Sequence, residues 1–319
     1  MDSPTDFYAF YNRALRPEID RVEPLRRETL TYFWVITILT LFGIVIWYAA
    51  VYRLSESGPV SFDSCIVPAG VGIAVWSKKW STYRDAYQLK LVAAIVHQYN
   101  ASFEYDRDDG VGEAAIIDCG LFPKYLGDDN RHCKGADRVS GTIGQTPFEF
   151  SDLDVSVGGG KQTRQLFKGV FFVADFNKNF SGETFVTSRH AFFSSGPETP
   201  SGEVVTLEDP EFERIFATHS TSQIEARYIL SPALMRRILY FAQQSRTPIA
   251  IAFSGTSMFI ALFHRSTKLE PVLWQTLQKP GLFFGIWANL EFLCGIVNEM
   301  DLNTRIWTKG APAAEQLPP

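Results

Sequence analysis

The segment "CGLFPKYLGDDNRHC", residues 119–133, gathers two thiols, an imidazole and the adjacent carboxylates Asp128 and Asp129. These are zinc-ligand types, and zinc chemistry is what such a cluster would offer. A structural zinc site, however, takes paired ligands at short spacing. His132 and Cys133 are neighbours here and Cys119 is remote, so the segment is expected to be a polar surface loop with no metal. "GGGK" at 158–161 resembles a phosphate cradle, but the Walker pattern needs Ser or Thr after the lysine, and Gln162 stands there. Neither G-x-S-x-G nor H-E-x-x-H occurs, so the common hydrolase and metalloprotease signatures are absent. The balance leans away from an enzyme, and no cofactor is expected.

Polar groups on loops offer binding chemistry instead. In "FVADFNKNFSGET", Asp175, Asn177 and Lys178 follow an apolar run and lead into a Ser-Gly turn. Polar residues on a loop held by a rigid sheet are a common binding arrangement, and equally a common solvated turn. With Arg227 and Arg305 they make up the candidate binding residues. Lys168, Lys178, Arg227 and Arg305 would be the anion contacts of a lipid-headgroup site. Asp175, Glu208 or Asp209 would be the acid or base of an unrecognised enzyme. "EARYILSPALMRRIL", residues 225–239, is read as scaffold: Ser231 is a good N-cap and Pro232 suits the first helical position. Leu234, Ile238 and Phe241 or Ala242 then form a buried stripe. Glu225 and Arg227 form an ion pair or a strut to a loop.

These residues need elements to hold them. From about Val139 the apolar period is that of strands: "FEFSDLDVSV" alternates, with a phase slip between Phe150 and Leu153. "LFKGVFFVADF" is dense enough for a central strand buried on both faces. "ETFVTS" and "EVVTL" add strands, and "TPIAIAFSGTSMFIALFH" is a hairpin turning at Ser254 to Ser257. "EDPEFERIF" is a short helix with Asp209 as N-cap. "GLFFGIWANLEFLCGIVNEM" is a helix whose mid-run Asn289 and Glu291 favour a core position over a membrane span. The fold class expected is α+β, with a largely antiparallel sheet and flanking helices.

The amino-terminal part has another character. Leu30 to Tyr52 runs for 23 residues without a charge, roughly 34 Å of helix and enough to cross a bilayer core of about 30 Å. Trp34, Trp47, Tyr48 and Tyr52 lie towards its ends, where amphipathic rings settle. A second, weaker segment runs from about 59 to 77 and contains Asp63 and Pro68; it is a second span, or else a re-entrant or interfacial segment. Arg13, Arg16, Arg21, Arg26 and Arg27 precede the first segment, while Lys78, Lys79, Arg84 and Lys90 follow the second. Basic flanks face the cytoplasm. The expectation is a transmembrane helical hairpin in the inner (plasma) membrane, with both termini and the main domain cytoplasmic.

Before the first span, residues 1–29 are expected to be helical, broken near Pro17 and Pro24, with Phe7, Phe10, Tyr11 and Leu15 as one stripe. After the second, Tyr83, Tyr87, Leu91 and Ala94 or Ile95 recur at helical spacing. The organisation expected is then a helical segment at 1–29, two spans within 30–77, an α+β domain at 78–310 and a disordered tail at 311–319. The formal net charge of −5 gives no basic signal for nucleic acid. The four scattered cysteines form no disulfide framework.

The order of "FYNRALRPEID", two apolar segments, "GTIGQTPFEFSDL", "FKGVFFVADFNKNFSGETFV", "LEDPEFERIFATHSTSQIEARYILSPALM" and "LNTRIWTK" resembles a bacterial membrane-protein family, domain of unknown function 3137. The resemblance implies a two-span anchor and a cytosolic domain, and brings no catalytic residues. Three functions stay open: a membrane-tethered interaction, scaffold or sensor module; a lipid-headgroup or small-ligand-binding domain; and an enzyme using loop carboxylates. The expected partners are the lipid bilayer and either another protein or a second copy of the chain.

Overall fold

The structure, a computed structural model, describes residues 4–54, 63–122, 131–158, 163–176, 179–189, 202–300 and 302. The chain forms two compact units, Met1–Ile95 with Leu269–Trp287, and Val96–Lys268 with Ala288–Pro319.

The first unit is helical. Helix α1 (Pro4–Phe10) passes through a π-helical turn (Tyr11–Leu15) into α2 (Arg16–Leu54), and α3 (Asp63–Ala86) passes through a second π-helical turn (Tyr87–Val92) into α4 (Ala93–Tyr99). Phe7, Tyr11, Leu15, Ile19 and Val22 are buried at spacings of three or four, one apolar face of a helix. Phe10 falls beside that stripe and is half-exposed. The breaks expected at Pro17 and Pro24 do not occur. The Arg16 N–H bonds to the Tyr11 carbonyl, five residues back, so the wider turn falls where Pro17 would otherwise disrupt the ladder. Pro24 lies inside α2 on its exposed side.

Helix α2 changes character at Leu30. Up to Thr29 it has a buried face; from Leu30 to Ala49 no residue is buried, and none of these residues carries a charge. Helix α3 lies against it in the opposite direction, with Gly72 meeting Ile36, Trp76 near Phe33, and Lys79 paired with Glu28. A Cβ on Gly72 would sit 3.1 Å from the Ile36 side chain, so glycine permits this approach. Residues 59–62 of the second apolar segment lie outside the described residues. The rest of it, including Pro68, belongs to one continuous helix with the 78–86 stretch.

The second unit is built on an antiparallel sheet of order β1-β2-β3-β4-β9-β8-β5-β7-β6. Its strands are β1 (Glu104–Asp106), β2 (Arg131–Ile143), β3 (Thr146–Val157), β4 (Arg164–Asp175), β5 (Thr184–Ser188), β6 (Glu203–Val204), β7 (Phe216–Ser220), β8 (Ile249–Ser254) and β9 (Ser257–Phe263). The fold is thus mixed helix and sheet, as the alternation of apolar periods implies. The phase slip in β3 is real: Phe150 and Ser151 are both buried. Pairing with β4 runs unbroken from Phe148–Ala174 to Val155–Phe167, so Phe150 and Leu153 lie on opposite faces of the sheet and the slip marks a change of buried face. Separately, Asp137 and Arg138 of β2 bulge between the pairs Ala136–Asp152 and Val139–Phe150. Strand β4 is central, paired with β3 and β9, and buries Val170, Phe171 and Phe172. The β8–β9 hairpin turns at Gly255 with φ +60°, a conformation glycine adopts without strain.

Short helices flank the sheet: α5 (Glu113–Asp118), α6 (Pro210–Ile215), α7 (Gln223–Ile229) and α8 (Pro232–Ser245). Asp209 caps α6 by accepting from Glu211 and Phe212, and Ser231 caps α8 by accepting from Leu234. Helix α9 (Pro280–Glu299) contributes residues to both units. Its Asn289 is buried because its amide donates to Thr267 O at 2.7 Å and its carbonyl accepts from Arg265 at 2.9 Å.

Candidate functional site

The loop after β4 is held rigidly at its described ends. The Phe176 and Phe180 amides donate to Thr256 O and Gly255 O of the β8–β9 turn, and both rings pack on Phe253. The Glu225 carboxylate accepts from the Ser181 amide, the Ser181 hydroxyl and the Gly182 amide. Of the two readings of Glu225, strut and ion pair, these bonds support the strut. "EARYILSPALM" is thereby tied to the Ser181–Gly182 turn that follows "FVADFNKNF", 43 positions away in the chain.

Asp175 closes β4 opposite Ser257. Arg227 is exposed on α7, two residues beyond the strut. Asn177, Lys178 and Arg305 lie outside the described residues. Lys168 faces Asp154 across β3 and β4 at 3.6 Å. Asp209 is engaged as a helix cap. Cys119 is buried in the apolar core of the sheet unit, and burial pushes its thiol up to about 12. His132 and Cys133 are consecutive on β2 and point to opposite faces, while Asp128 and Asp129 lie outside the described residues.

A second constellation, which the sequence did not single out, lies in the helical unit where α2 changes character. Glu23, Arg26 and Thr29 are buried polar residues on α2. Arg26 donates to both Glu23 oxygens, at 2.9 and 2.8 Å, and to Leu273 O at 2.6 Å. Glu23 also accepts from the Leu277 amide at 3.0 Å and the Thr276 hydroxyl at 3.2 Å. Burial alone would raise the Glu23 pKa, but hydrogen bonds from Arg26, the Leu277 amide and Arg27 outweigh it and hold the carboxyl down at about 2. Tyr83 of α3 donates to Val272 O at 2.8 Å. These bonds fix the 269–279 segment. Arg26, counted above among the basic flanking residues, is therefore an internal clamp rather than a surface charge.

Just beyond this clamp stands an aromatic collar. Phe33 meets Trp274 edge-on at 5.2 Å and Trp76 at 6.0 Å, and Trp76 stacks on Trp80 at 5.9 Å. Further along, Phe33, Ile36, Thr37, Thr40, Leu41, Ile73 and Trp76 line an apolar groove of about 360 Å³ between α2 and α3. Helices α2 and α9 are both long and apolar enough to cross a membrane; 6% of the most apolar stretch of the first is buried, against 50% for α9.

Residues 165–302 match the profile of a family described as protein of unknown function (DUF3137). "FYNRALRPEID", "GTIGQTPFEFSDL" and all but the first residue of "LNTRIWTK" fall outside that match. Among solved structures, a similar chain is the crystal structure of the mycobacterial trehalose monomycolate transport factor A, TtfA. It has 9% identity and a TM-score of 0.30, with 64% of this chain and 95% of that chain covered. No curated protein matches. The segment from Gln165 to Leu302 is accordingly similar to a domain of unknown function, in a chain that also carries helices long and apolar enough to cross a membrane.

Proposed function

We propose that this chain is an integral membrane protein of the bacterial inner membrane, anchored by α2 and α3, whose sheet domain acts in the cytoplasm as an interaction or scaffold module. The observation that carries this reading is the switch in α2: one buried face up to Thr29, then an uncharged run from Leu30 to Ala49 in which no residue is buried. In water that run would leave Ile38, Leu39, Phe42 and Val45 each more than 60% exposed, at about 25 cal/mol for each Å² of apolar surface left wet. A hydrocarbon environment removes that cost.

The orientation follows from basic residues on both flanks of the helix pair and from Arg53 alone in the link between them. The interaction reading draws on the 176–183 loop, whose ends are braced by Glu225 and the β8–β9 turn. A braced loop presents a fixed surface, the usual basis of recognition at a loop.

Alkaline carbonate extraction of native membranes tests the anchor: the protein stays in the pellet if the reading holds and moves to the supernatant if it does not. Protease added to sealed spheroplasts tests orientation, because a cytoplasmic domain survives. Affinity recovery from solubilised membranes tests the module reading, which predicts a partner, or a second copy, recovered in stoichiometric amount.

A further inference from the structure

We propose that the 269–279 segment is an interfacial membrane anchor, with Trp274 lying among the lipid headgroups of the bilayer that α2 crosses. This rests on the reading of α2 as a span and adds a lipid contact far from α2 in sequence. Trp274 is 62% exposed between the buried residues Leu273 and Leu277. A large exposed ring on a loose loop would mean little, but this loop is not loose. Arg26 holds the Leu273 carbonyl, Tyr83 holds the Val272 carbonyl, and Glu23 holds the Leu277 amide. The exposure of Trp274 is therefore imposed by buried hydrogen bonds on both sides of it.

Its position selects the partner. The Trp274 ring meets Phe33 at 5.2 Å and Trp34 at 6.3 Å, residues of the first turn of the unburied apolar run. Tyr32 and Trp34 are exposed at the same level, and Lys79 lies 5.5 Å from the Tyr32 ring. Arg27, 64% exposed in its side chain, is one turn earlier. Amphipathic rings beside cations, at the end of a hydrocarbon-length helix, suit the headgroup layer, where one edge of an indole is wet and its body is not. A protein partner would need the same patch to be dry, whereas the ion pairs Arg27–Glu23 and Lys79–Glu28 at its margin suit the hydrated headgroup layer.

The test places an environment-sensitive nitrobenzoxadiazole probe at 274, through Trp274→Cys in a Cys65→Ser, Cys133→Ser background. The full chain is reconstituted in vesicles of phosphatidylethanolamine and phosphatidylglycerol. The expected result is loss of most of the emission to a headgroup spin-labelled lipid and little loss to aqueous iodide. Quenching by iodide alone overturns the proposal, as does shielding from both quenchers, which would mean the site is covered by protein. Carbonate extraction of the same vesicles separates the two levels of the argument. A chain that resists extraction while its probe is open to iodide sinks the Trp274 contact and leaves the span standing. A chain that washes off sinks both. Because Trp274→Cys could loosen the loop, bromolipid quenching of wild-type tryptophan emission is compared with that of Trp274→Phe; the proposal requires the bromolipid-quenchable part to fall in the variant, and an unchanged value overturns it.

Discussion

The Glu225 carboxylate lies 2.8 Å from the Gly182 amide and also takes both donors of Ser181. One side chain from the start of α7 thus closes the loop that leaves β4. Gly182 has no room for a side chain: a Cβ there would stand 2.6 Å from the Thr221 hydroxyl, which is itself engaged by the Glu183 amide. The loop is specified from both sides, by an acceptor that fills it and by a glycine that lets it close.

Glu225→Ala should destabilise the sheet unit by about 1–3 kcal/mol, because two backbone amides and a hydroxyl lose a charged acceptor together. Glu225→Gln should cost less, since one carbonyl oxygen remains to accept. Denaturant unfolding in detergent, followed by far-ultraviolet circular dichroism, measures both. Equal stability of wild type and Glu225→Ala would remove the strut from the account.

Acid should weaken the helical unit through Glu23. Its folded pKa is depressed to about 2 from an ordinary value of 4.5. The stabilisation is therefore complete above the ordinary value and is lost as pH falls from about 4.5 to about 2, on the order of 3 kcal/mol in all. Glu23→Gln should flatten that part of the pH profile and lower stability at neutral pH, because Arg26 would stay buried without its carboxylate. The reporter is the midpoint of thermal unfolding across that pH range; a variant with the wild-type slope would contradict the assignment.

What could be read from the chain in advance was what depends on neighbours in sequence. Ser231 before Pro232, Asp209 before Pro210, and the Ser254–Ser257 turn each need only a few consecutive residues, and each is found as expected. The slip in β3 was visible, but its meaning, a change of buried face along an unbroken strand, depends on elements distant in sequence. Arg26 was misassigned for the same reason. As one of several arginines before an apolar run it looks like a flanking charge, and only the return of the chain at Leu273, 247 residues later, makes it a clamp. Pro17 misled because the proline rule presumes an α-helical ladder, and a π-helical turn precedes it. Of the candidate binding residues, Asp175 and Arg227 can be placed, at the end of β4 and on α7. The Trp274 collar gave no local signal, since a single tryptophan in an irregular segment has no period to betray it.

Thiol chemistry should separate the cysteines. Cys119 is fully buried and its thiol is pushed up to about 12 by burial, so almost no thiolate exists at neutral pH. Cys294 is buried as well, whereas Cys133 is partly accessible on β2. Maleimide treatment of the native protein should therefore modify Cys133 well before Cys119 or Cys294, with all three modified in denaturant. Peptide mass analysis gives the order, and early labelling of Cys119 would mean that the sheet core is open.

Two glycines should respond in opposite ways to the same methyl group. Gly169 stands in central strand β4 opposite Phe263, and a Cβ there would fall on the Leu262 carbonyl of β9. Backbone cannot swing aside as a side chain can, so Gly169→Ala must distort the β4–β9 ladder, at a cost of about 1–3 kcal/mol or more. Gly43 lies in the unburied stretch of α2, and a Cβ there would meet nothing within 4 Å. Gly43→Ala should leave stability unchanged or raise it slightly through helix propensity, by at most about 1 kcal/mol. Parallel thermal unfolding of the two variants in one detergent provides the comparison. A loss at Gly43 as large as that at Gly169 would mean that a further element covers α2, and that its apolar face is not given over to lipid alone.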